Sequence, residues 1–543
     1  DSDSAGNDSN EGNAVKQGPA SNAADVSQQE AEASNTQESV SEEVAEINGV
    51  KYATLQAAFD AATTDCTINV LTDVDLGTEN VSNYGTKAKN VTVDFGGNKI
   101  TSAGDYTLTP PASNWIFENG TIENTKETAS YGAVMVSLGS PKTVLRGGSN
   151  GLSIISKTNG IFVKTNSGNP TLTIEDGVNV SGKIGVYLSG ATSAPFRGQY
   201  SGTKTLNVYG GSINGTEAGV FVVGSITKNA KEYIVANVSG GTITGGYYAV
   251  AGNGDSGHNG TEINISGGTL KSTSADGAGV YHPQKGALNI SGGTIEGAVG
   301  VQMCAGDLNV TGNPTIKGTG ADATASKTGD GAICDGSAIS IVDRGYPGGK
   351  PTAKVSSGTI TSEQAAAVKA YGWSNNATTT YDNTSNEVAV SGGTFKAAAE
   401  TAAVDSSLLA KGFELKNNED GTITVGAVQV AKVGETEYTS LQEAINAADA
   451  GATVTLLADV DTTSEIRFDK DITVDFNGKK IENTADLWDT KNAEGKYVFA
   501  IENLTDNVRI GGVIGYTYNA ADGKWYEDKA FTKPVKGILK ILS

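Results

Sequence analysis

The sequence is poor in the residues on which soft-metal and redox sites depend, with three cysteines, two histidines and two methionines among 543 residues. The cysteines (Cys66, Cys304 and Cys334) do not have the spacing of a metal-binding motif. No run of about 18 apolar residues occurs, so the sequence predicts no membrane-spanning helix. We therefore expect no metal, no cofactor and no membrane span.

Charged residues (18%) and aromatic residues (6%) are also scarce, whereas glycine is abundant, with 71 residues. Glycine is costly inside helices, so this composition argues against a compact helical enzyme and against a coiled coil. Hydrophobic residues make up 37% of the chain, which is enough to form a core. The net charge of −22 argues against nucleic acid as a partner, because an acidic surface repels phosphate groups.

Residues 1–46 differ from the rest of the chain. They contain eleven carboxylates, one basic residue (Lys16) and almost no large apolar side chain. Burial cannot offset the entropy lost when such a segment becomes ordered, so we expect a disordered acidic tether. The chain opens with Asp rather than Met, which favours a removed secretion signal or a trimmed sequence.

A short block recurs through the middle of the sequence as a strand of alternating apolar and polar residues, a Gly-Gly turn and a second such strand. Its copies are LNVYGGSI (206–213), ANVSGGTI (236–243), INISGGTL (263–270), LNISGGTI (288–295), LNVTGNPTI (308–316), AKVSSGTI (353–360) and VAVSGGTF (388–395). A third short strand follows most copies, as in GVFV (219–222), GVYH (279–282), GVQM (300–303) and AICD (332–335). Three stacked strands per repeat, without helices, predict a parallel β-helix over residues 47–430.

The repeats are preceded by a predicted amphipathic helix in residues 54–62, where apolar side chains have helical spacing. Such a helix would cover the unpaired strand edges at the end of the array. The opening block recurs 386 residues later, so residues 431–543 are predicted to begin a second, similar module that is truncated. The matching pairs are Tyr52 and Tyr438, Leu55 and Leu441, Ala58 and Ala444, Leu71 and Leu457, Asp73 and Asp459, Val74 and Val460, and Asp75 and Asp461.

These features together resemble the pectate-lyase-like superfamily of right-handed parallel β-helices. The resemblance rests on the Y-x-[ST]-L-Q-x-A helix at residues 52–58, the V-D-F-x-G-x-K-I strand at residues 93–100 and the G-G-T-[IL] turns. In its repetitiveness the sequence is also similar to the long surface proteins of Gram-positive gut bacteria. The resemblance implies an all-β, right-handed solenoid with a short N-terminal capping helix, in an extracellular protein of the bacterial cell surface.

When the third strands are aligned, one outward-facing position in each strand forms a column along the array. Six candidate binding residues occupy this column, together with Ala251 and Cys334. Exposed aromatic rings offer apolar platforms to sugar faces, and contiguous apolar patches usually mark an interaction site. Because glutamine and lysine also occupy this position, we expect the side chains of the column to face water. A covering loop, or stacking of the rings for stability, is the alternative. The candidates are Phe162, Tyr187, Phe221, Tyr281, Gln302 and Lys369.

Two further outward columns are explained by structure alone. Stacked amides are expected to hydrogen-bond along the array, and β-branched residues favour strands. The amide column is Asn207, Asn237, Asn264, Asn289 and Asn309, and the hydroxyl column is Ser212, Thr242, Thr269, Thr294, Thr315, Thr359 and Thr394.

Catalytic motifs typical of polygalacturonases and pectate lyases are not found, since the sequence has no Asp-Asp pair and no R-x-K. A pair of carboxylates suffices for glycoside hydrolysis, and Asp307, Asp330, Asp335 and Asp343 come from neighbouring repeats. Solvated loop carboxylates are the alternative. The two histidines, His258 and His282, are single and unpaired in the sequence. Cys304 and Cys334 lie in adjacent repeats and are candidates for a disulfide, with buried free thiols as the alternative.

The sequence therefore predicts a bacterial cell-surface repeat protein that acts as an adhesin or extended scaffold. Its partners would be glycans, or host or bacterial surface proteins, bound along one face of the β-helix. Many weak contacts along a rigid face would act together through their high effective concentration. A polysaccharide lyase or glycoside hydrolase, and a passive structural stalk, are the alternatives.

Overall fold

The structure is a computed structural model that shows an all-β chain with two short helices. Residues 43–543 form one compact unit. None of the described helices is long and apolar enough to cross a membrane. The residues described are 42–82, 90–137, 139–164, 167–190, 201–225, 231–254, 260–323, 331–399, 401–462, 466–468, 470–479, 481–483, 489–490, 498–502, 517–519, 521–522, 524–526, 530–532 and 538–542.

The first strands of successive repeats form one sheet of 14 strands. All of its neighbours pair in parallel except at its N-terminal edge, where Ala45–Ile47 pairs antiparallel with the strands on both sides of it. In spatial order the strands are Val50–Tyr52, Ala45–Ile47, Cys66–Val70, Asn90–Asp94, Asn114–Glu118, Lys142–Arg146, Thr171–Ile174, Ser201–Val208, Lys231–Val238, Thr261–Ile265, Gly286–Ile290, Asp307–Val310, Thr352–Val355 and Val388–Val390.

The second and third strands of the repeats belong to a sheet of 24 strands, where each pairs in parallel with its counterpart in the next repeat. The second strands are Val74–Asp75, Lys99–Ser102, Gly120–Asn124, Leu152–Ser156, Thr242–Gly245, Thr269–Ser272, Thr294–Gly297, Thr315–Gly318, Thr359–Ser362 and Thr394–Lys396. The third strands are Val81–Ser82, Tyr106–Thr109, Gly132–Val136, Asn159–Val163, Tyr248–Gly252, Ala278–His282, Val299–Met303, Ile339–Asp343 and Val368–Ser374. Val178–Ser189 and Ser212–Val223 are long strands that supply both positions.

Alternating burial along the first and second strands builds the core, as the sequence predicts, whereas third strands such as Ala278–His282 and Val299–Met303 are buried at every position. Leu288 and Ile290 are fully buried, whereas Asn289 between them is half-buried on the outer face. The Gly-Gly turn that follows is required by space and by backbone conformation. A Cβ at Gly292 would lie 2.3 Å from the carbonyl oxygen of Ser266, and Gly293 has a φ of +80°, which other residues rarely adopt.

The array has an antiparallel hairpin and a helix at its N-terminal end. The predicted helix is present at Leu55–Ala61, and its N-cap Thr54 accepts a hydrogen bond from the backbone N–H of Ala57. Its apolar face is buried, and the ring of Phe59 lies 5.0 Å from that of Trp115. A strand already begins at Ala45, two residues inside the predicted tether, and residues 1–41 of that tether lie outside the described residues.

The array also ends in antiparallel pairing. Val368–Ser374 pairs with Ala377–Thr379, and Ile423–Ala427 pairs with both Thr394–Lys396 and Phe413–Asn417. We call the hairpin formed by Phe413–Asn417 and Ile423–Ala427 the closing hairpin. A short 3₁₀ helix, Ser406–Leu408, precedes it and is capped by Asp405.

The duplication at residue 431 is also present in the structure. The pairing of Ala45 with Tyr52 and Val70 recurs as pairing of Ala431 with Tyr438 and Leu456. A second helix, Leu441–Ala447, follows, and a hydrophobic cluster separate from that of residues 45–425 forms around it. The remaining strands are Ala431–Val433, Thr436–Tyr438, Thr453–Leu456, Val460–Thr462, Arg467–Phe468, Ile472–Asp475, Ile481–Asn483, Asp489–Thr490, Val498–Glu502, Thr517–Asn519, Lys524–Tyr526 and Ile538–Leu542.

Candidate functional site

The candidate binding residues lie in one column on the outer side of the third strands. Strand pairing places them in direct succession, which confirms the predicted register for all six candidates. We call this set the outer column. From the N-terminal side it runs Phe162, Tyr187, Phe221, Ala251, Tyr281, Gln302, Ser340 and Lys369.

The predicted place of Cys334 in this column is wrong, because Ser340 occupies it. The third strand of that repeat is Ile339–Asp343, whereas the residues that resemble a strand in the sequence, 332–335, belong to the segment before it. Ile333 is buried in a cluster with Tyr281 on the outer side of the third strands and does not belong to the interior cluster of the array.

The N-terminal part of the outer column is a series of half-buried rings, which we call the open part: Phe162, Tyr187 and Phe221. Phe162 and Tyr187 are stacked, with ring centroids 4.9 Å apart and an interplanar angle of 12°. Phe221 stands nearly perpendicular to Tyr187, at 72° and 5.2 Å. Partial burial raises the pKa of the Tyr187 hydroxyl. The series continues on the N-terminal side with Tyr131, whose ring lies 5.3 Å from that of Phe162.

The C-terminal part of the outer column is covered. Tyr281 is only 6% exposed and Gln302 is fully buried. Residues Gly331–Asp335, which we call the cover segment, lie over this part. Their main chain hydrogen-bonds with both the oxygen and the nitrogen of the Gln302 side-chain amide. The Ile333 N–H donates to Gln302 Oε1 at 2.7 Å, and Gln302 Nε2 donates to the Ile333 carbonyl oxygen at 2.8 Å. The expectation that the side chains of the column face water is therefore wrong for Tyr281 and Gln302.

The fully buried carboxylate of Asp335 holds the end of the cover segment. Its Oδ1 accepts hydrogen bonds from the backbone N–H and the hydroxyl of Ser337, at 2.9 and 2.6 Å. Its Oδ2 accepts from the hydroxyls of Ser340 at 2.5 Å and Tyr371 at 2.7 Å. Burial and this carboxylate raise the pKa of Tyr371 strongly, so the phenol remains a donor. Lys369 Nζ donates to the Asp335 carbonyl oxygen at 3.0 Å.

The start of the cover segment is held by residues on both sides of it. The Ala332 N–H donates to Tyr248 Oη at 3.1 Å. The guanidinium of Arg344 donates to the Gly331 carbonyl oxygen at 2.5 Å and lies 5.0 Å from the ring centroid of Tyr346. Sequence reasoning missed these contacts, because no pattern relates Arg344 to a loop 13 residues earlier.

The predicted disulfide between Cys304 and Cys334 is not formed, and both residues keep their thiol groups. Cys304 is buried beneath the cover segment, where burial raises its pKa to about 12. Cys334 is half-buried on the cover segment itself, and its Sγ lies 3.7 Å from the carbonyl oxygen of Ala275. The two residues were expected on adjacent third strands, and only Cys304 follows one.

The candidate carboxylates have separate partners. Asp307 accepts from the Thr352 hydroxyl at 2.7 Å, Asp343 accepts from the Gly345 N–H at 3.0 Å, and Asp335 is used by the cover segment. Asp330 and His258 lie outside the described residues. In the part of the chain that is described, no three His, Cys, Asp or Glu side chains are grouped so that they could hold a metal ion.

His282 lies in the interior of the array and is fully buried. Its Nδ1 is 3.0 Å from the carbonyl oxygen of Ala305, which makes Nδ1 the protonated nitrogen. Burial lowers the pKa of His282 from 6.5 to about 4, so the ring is neutral near pH 7. This environment fits a structural role for the residue.

The predicted amide column is confirmed. Each asparagine donates from Nδ2 to Oδ1 of the one before it, at 2.8–2.9 Å, from Asn237 through Asn309. The hydroxyl column also has the predicted register.

No protein-family model, curated protein or solved structure matches the chain. The argument for a function therefore rests on the geometry of the outer column.

Proposed function

We propose that the chain is a right-handed parallel β-helix from an extracellular, bacterial cell-surface protein, and that it acts as an adhesin or extended scaffold. Support for the architecture comes from the recurring order of three strands, the parallel pairing of each strand with its counterpart one repeat later, and the inward alternation of apolar residues. The sequence resemblance supplies the handedness and the location.

The observation that carries the binding proposal is the open part of the outer column. Three aromatic rings in register are only partly buried, although the same column is covered from the next repeat, at Ala251, onward. Solvent contact with aromatic surface is unfavourable, so such a surface gains free energy when a ligand covers it. Phe162 and Tyr187 are stacked, whereas Phe221 is turned by 72° relative to Tyr187.

This surface suits the C–H-rich face of a sugar or an apolar side chain of a partner protein. Parallel strands repeat about every 4.8 Å, so the rings form an elongated site that follows the axis of the array. A chain-like glycan that lies along this axis could touch several rings at once. The affinity of each contact would be small, and repetition of such sites on a surface would raise the avidity.

A passive stalk is the second candidate. The rings of the open part contact each other, and the amide column ties five repeats together. Both features stabilise a long array without any ligand. The same experiment separates the two functions.

The experiment is a glycan-array and cell-adhesion measurement on the intact chain. Combined replacement of Phe162, Tyr187 and Phe221 by alanine is expected to reduce binding at least about tenfold, the loss of several ring contacts. The matched control replaces three exposed tyrosines outside the outer column, Tyr209, Tyr233 and Tyr247, and should retain binding. If the first variant is folded and binds as well as the control, the stalk is the better description.

A further inference from the structure

The two copies of the opening block differ in what surrounds them. We call the exposed surface formed by Leu71, Asp73, Val74 and Asp75 the opening face, and its counterpart in the second copy is Leu457, Asp459, Val460 and Asp461. Leu71 is 42% exposed, whereas Leu457 is half-buried. Val74 is half-buried, whereas Val460 is only 8% exposed. The same surface is thus more enclosed in the second copy.

The second copy also has a charge contact that the first lacks among the described residues. Lys411 Nζ lies 2.5 Å from Asp461 Oδ2. Lys411 lies two residues before the closing hairpin, and the carbonyl oxygen of the intervening Gly412 accepts from the Val428 N–H at 2.9 Å. The end of one array therefore places a lysine against the opening block of the next.

Among the described residues, no lysine pairs with the corresponding carboxylate of the first copy. Asp75 accepts hydrogen bonds from the Gly77 N–H and the Thr101 hydroxyl, and none of the ion pairs between described residues involves Asp73, Asp75 or Glu79. All three line an open cavity of about 480 Å³ beside the start of the helix. Its apolar lining includes Val44, Leu55 and Leu76, so it combines negative charge with apolar surface.

We propose that the opening face of the first copy binds the closing hairpin of another array of this kind, with a lysine at the position of Lys411 paired with Asp75. The partner's chemistry is that of residues 411–427 of this chain: a lysine, a glycine and a two-stranded hairpin. Such a contact would join arrays end to end. It concerns assembly and does not depend on ligand binding by the outer column.

The test uses the intact chain and a peptide of residues 405–428 closed by a disulfide between added terminal cysteines. Circular dichroism first establishes that the peptide forms the hairpin. Saturable binding is expected, and either Asp75→Asn in the chain or Lys411→Gln in the peptide should weaken it about fivefold, as for an exposed ion pair. The two changes together should weaken it no further, because they remove the same contact.

Two further variants sharpen the result. Leu71→Ser should weaken binding as well, since it removes apolar area from the opening face. Glu127→Gln removes an exposed carboxylate that pairs with Lys157 elsewhere on the array, and it should leave peptide affinity unchanged. A folded peptide that fails to bind overturns the proposal. So does binding that is insensitive to Asp75→Asn, or losses from Asp75→Asn and Lys411→Gln that multiply.

Discussion

The open and covered parts of the outer column share a strand position and a register, yet they are different surfaces. In the open part, aromatic rings contact one another and stay half-exposed. In the covered part, Gln302 and Ser340 are fully buried and hydrogen-bond with the cover segment and with Asp335. Exposure in the column is therefore decided by what the intervening loop does, not by the direction in which the strand points the side chain.

Contrary to expectation, the polar residues of the column lie in its covered part and not in its open part. The polar residues Gln302 and Ser340 lie where the column is covered, and phenylalanine lies where it is open. The reason is that a buried segment of main chain brings N–H and C=O groups that need partners. Gln302 supplies both a donor and an acceptor to Ile333. A polar residue in such a column thus indicates a covering loop.

Substitution of an interior residue is expected to cause the largest loss of stability, with which changes in the outer column can be compared. Ile290→Asp places an unpaired carboxylate among fully buried side chains and should lower the free energy of unfolding by about 3–5 kcal/mol. Asn289→Asp, one residue away on the outer face, keeps the acceptor used by Asn309 and loses the donor to Asn264. It should cost about 1 kcal/mol. Urea denaturation measures both, and equal losses would contradict the assigned faces.

The two parts of the outer column differ most directly in their tyrosines. Tyr281→Ala removes a ring that is 6% exposed and stacks 5.1 Å from Tyr248, and it should cost about 3 kcal/mol. Tyr187→Ala removes a half-buried ring and should cost about 1 kcal/mol. Urea denaturation of the two variants gives the difference. If Tyr187→Ala is as damaging as Tyr281→Ala, the open part is structural.

The sequence predicted the repeated strands, their inward and outward faces, the opening helix and the amide column, because each depends on local alternation or spacing. Ile290 and Asn289 show this most simply. The register of the outer column was also predictable, since each third strand begins with a similar pattern in the sequence.

The cover segment was not predictable in the same way. Ile333 lies in a short apolar stretch, Ala332-Ile333-Cys334, that resembles a strand in the sequence, yet it packs on the outside of the array. Only long-range contacts distinguish the two cases, such as the bond from the Ala332 N–H to Tyr248 Oη, 84 residues away. For the same reason the disulfide between Cys304 and Cys334 was wrong. A usable signal was present in Asp335-Gly336-Ser337, a turn sequence that does not suit a strand.

The attachment of the cover segment is tested by Asp335→Ala. The change leaves donors of Ser337, Ser340 and Tyr371 without their buried acceptor, which should cost about 2–3 kcal/mol. Asp343→Ala is the matched control, because within the described residues that carboxylate accepts from the exposed turn at Gly345, and it should cost less than about 1 kcal/mol. Hydrogen exchange should show faster exchange of the Ile333 amide in Asp335→Ala alone. Unchanged protection there would mean that Asp335 does not hold the segment.

The interior beneath the covered part should make the protein sensitive to mild acid. His282 follows Tyr281 and faces inward, against the Ala305 carbonyl, and the charge of Asp307, in the next repeat, partly opposes the effect of burial on its pKa. Because its pKa is lowered to about 4 in the folded protein, the unfolded chain takes up a proton below about pH 6.5 while the folded chain does not. The free energy of unfolding is therefore unaffected by this group above pH 6.5 and falls as the pH is lowered toward 4.

At pH 5 this difference amounts to about 2 kcal/mol. Urea denaturation at pH 7.5 and pH 5, for the intact chain and for His282→Gln, measures it. Carboxylates contribute equally to the pH dependence of both proteins, so the difference between the two slopes isolates the imidazole. The variant should be less stable at pH 7.5, because an amide fills a site shaped for an imidazole ring poorly. Its free energy of unfolding should, however, fall less between pH 7.5 and pH 5. Identical slopes would show that His282 is protonated as readily in the folded state as in the unfolded chain, and the buried interior assigned to the covered part would be wrong.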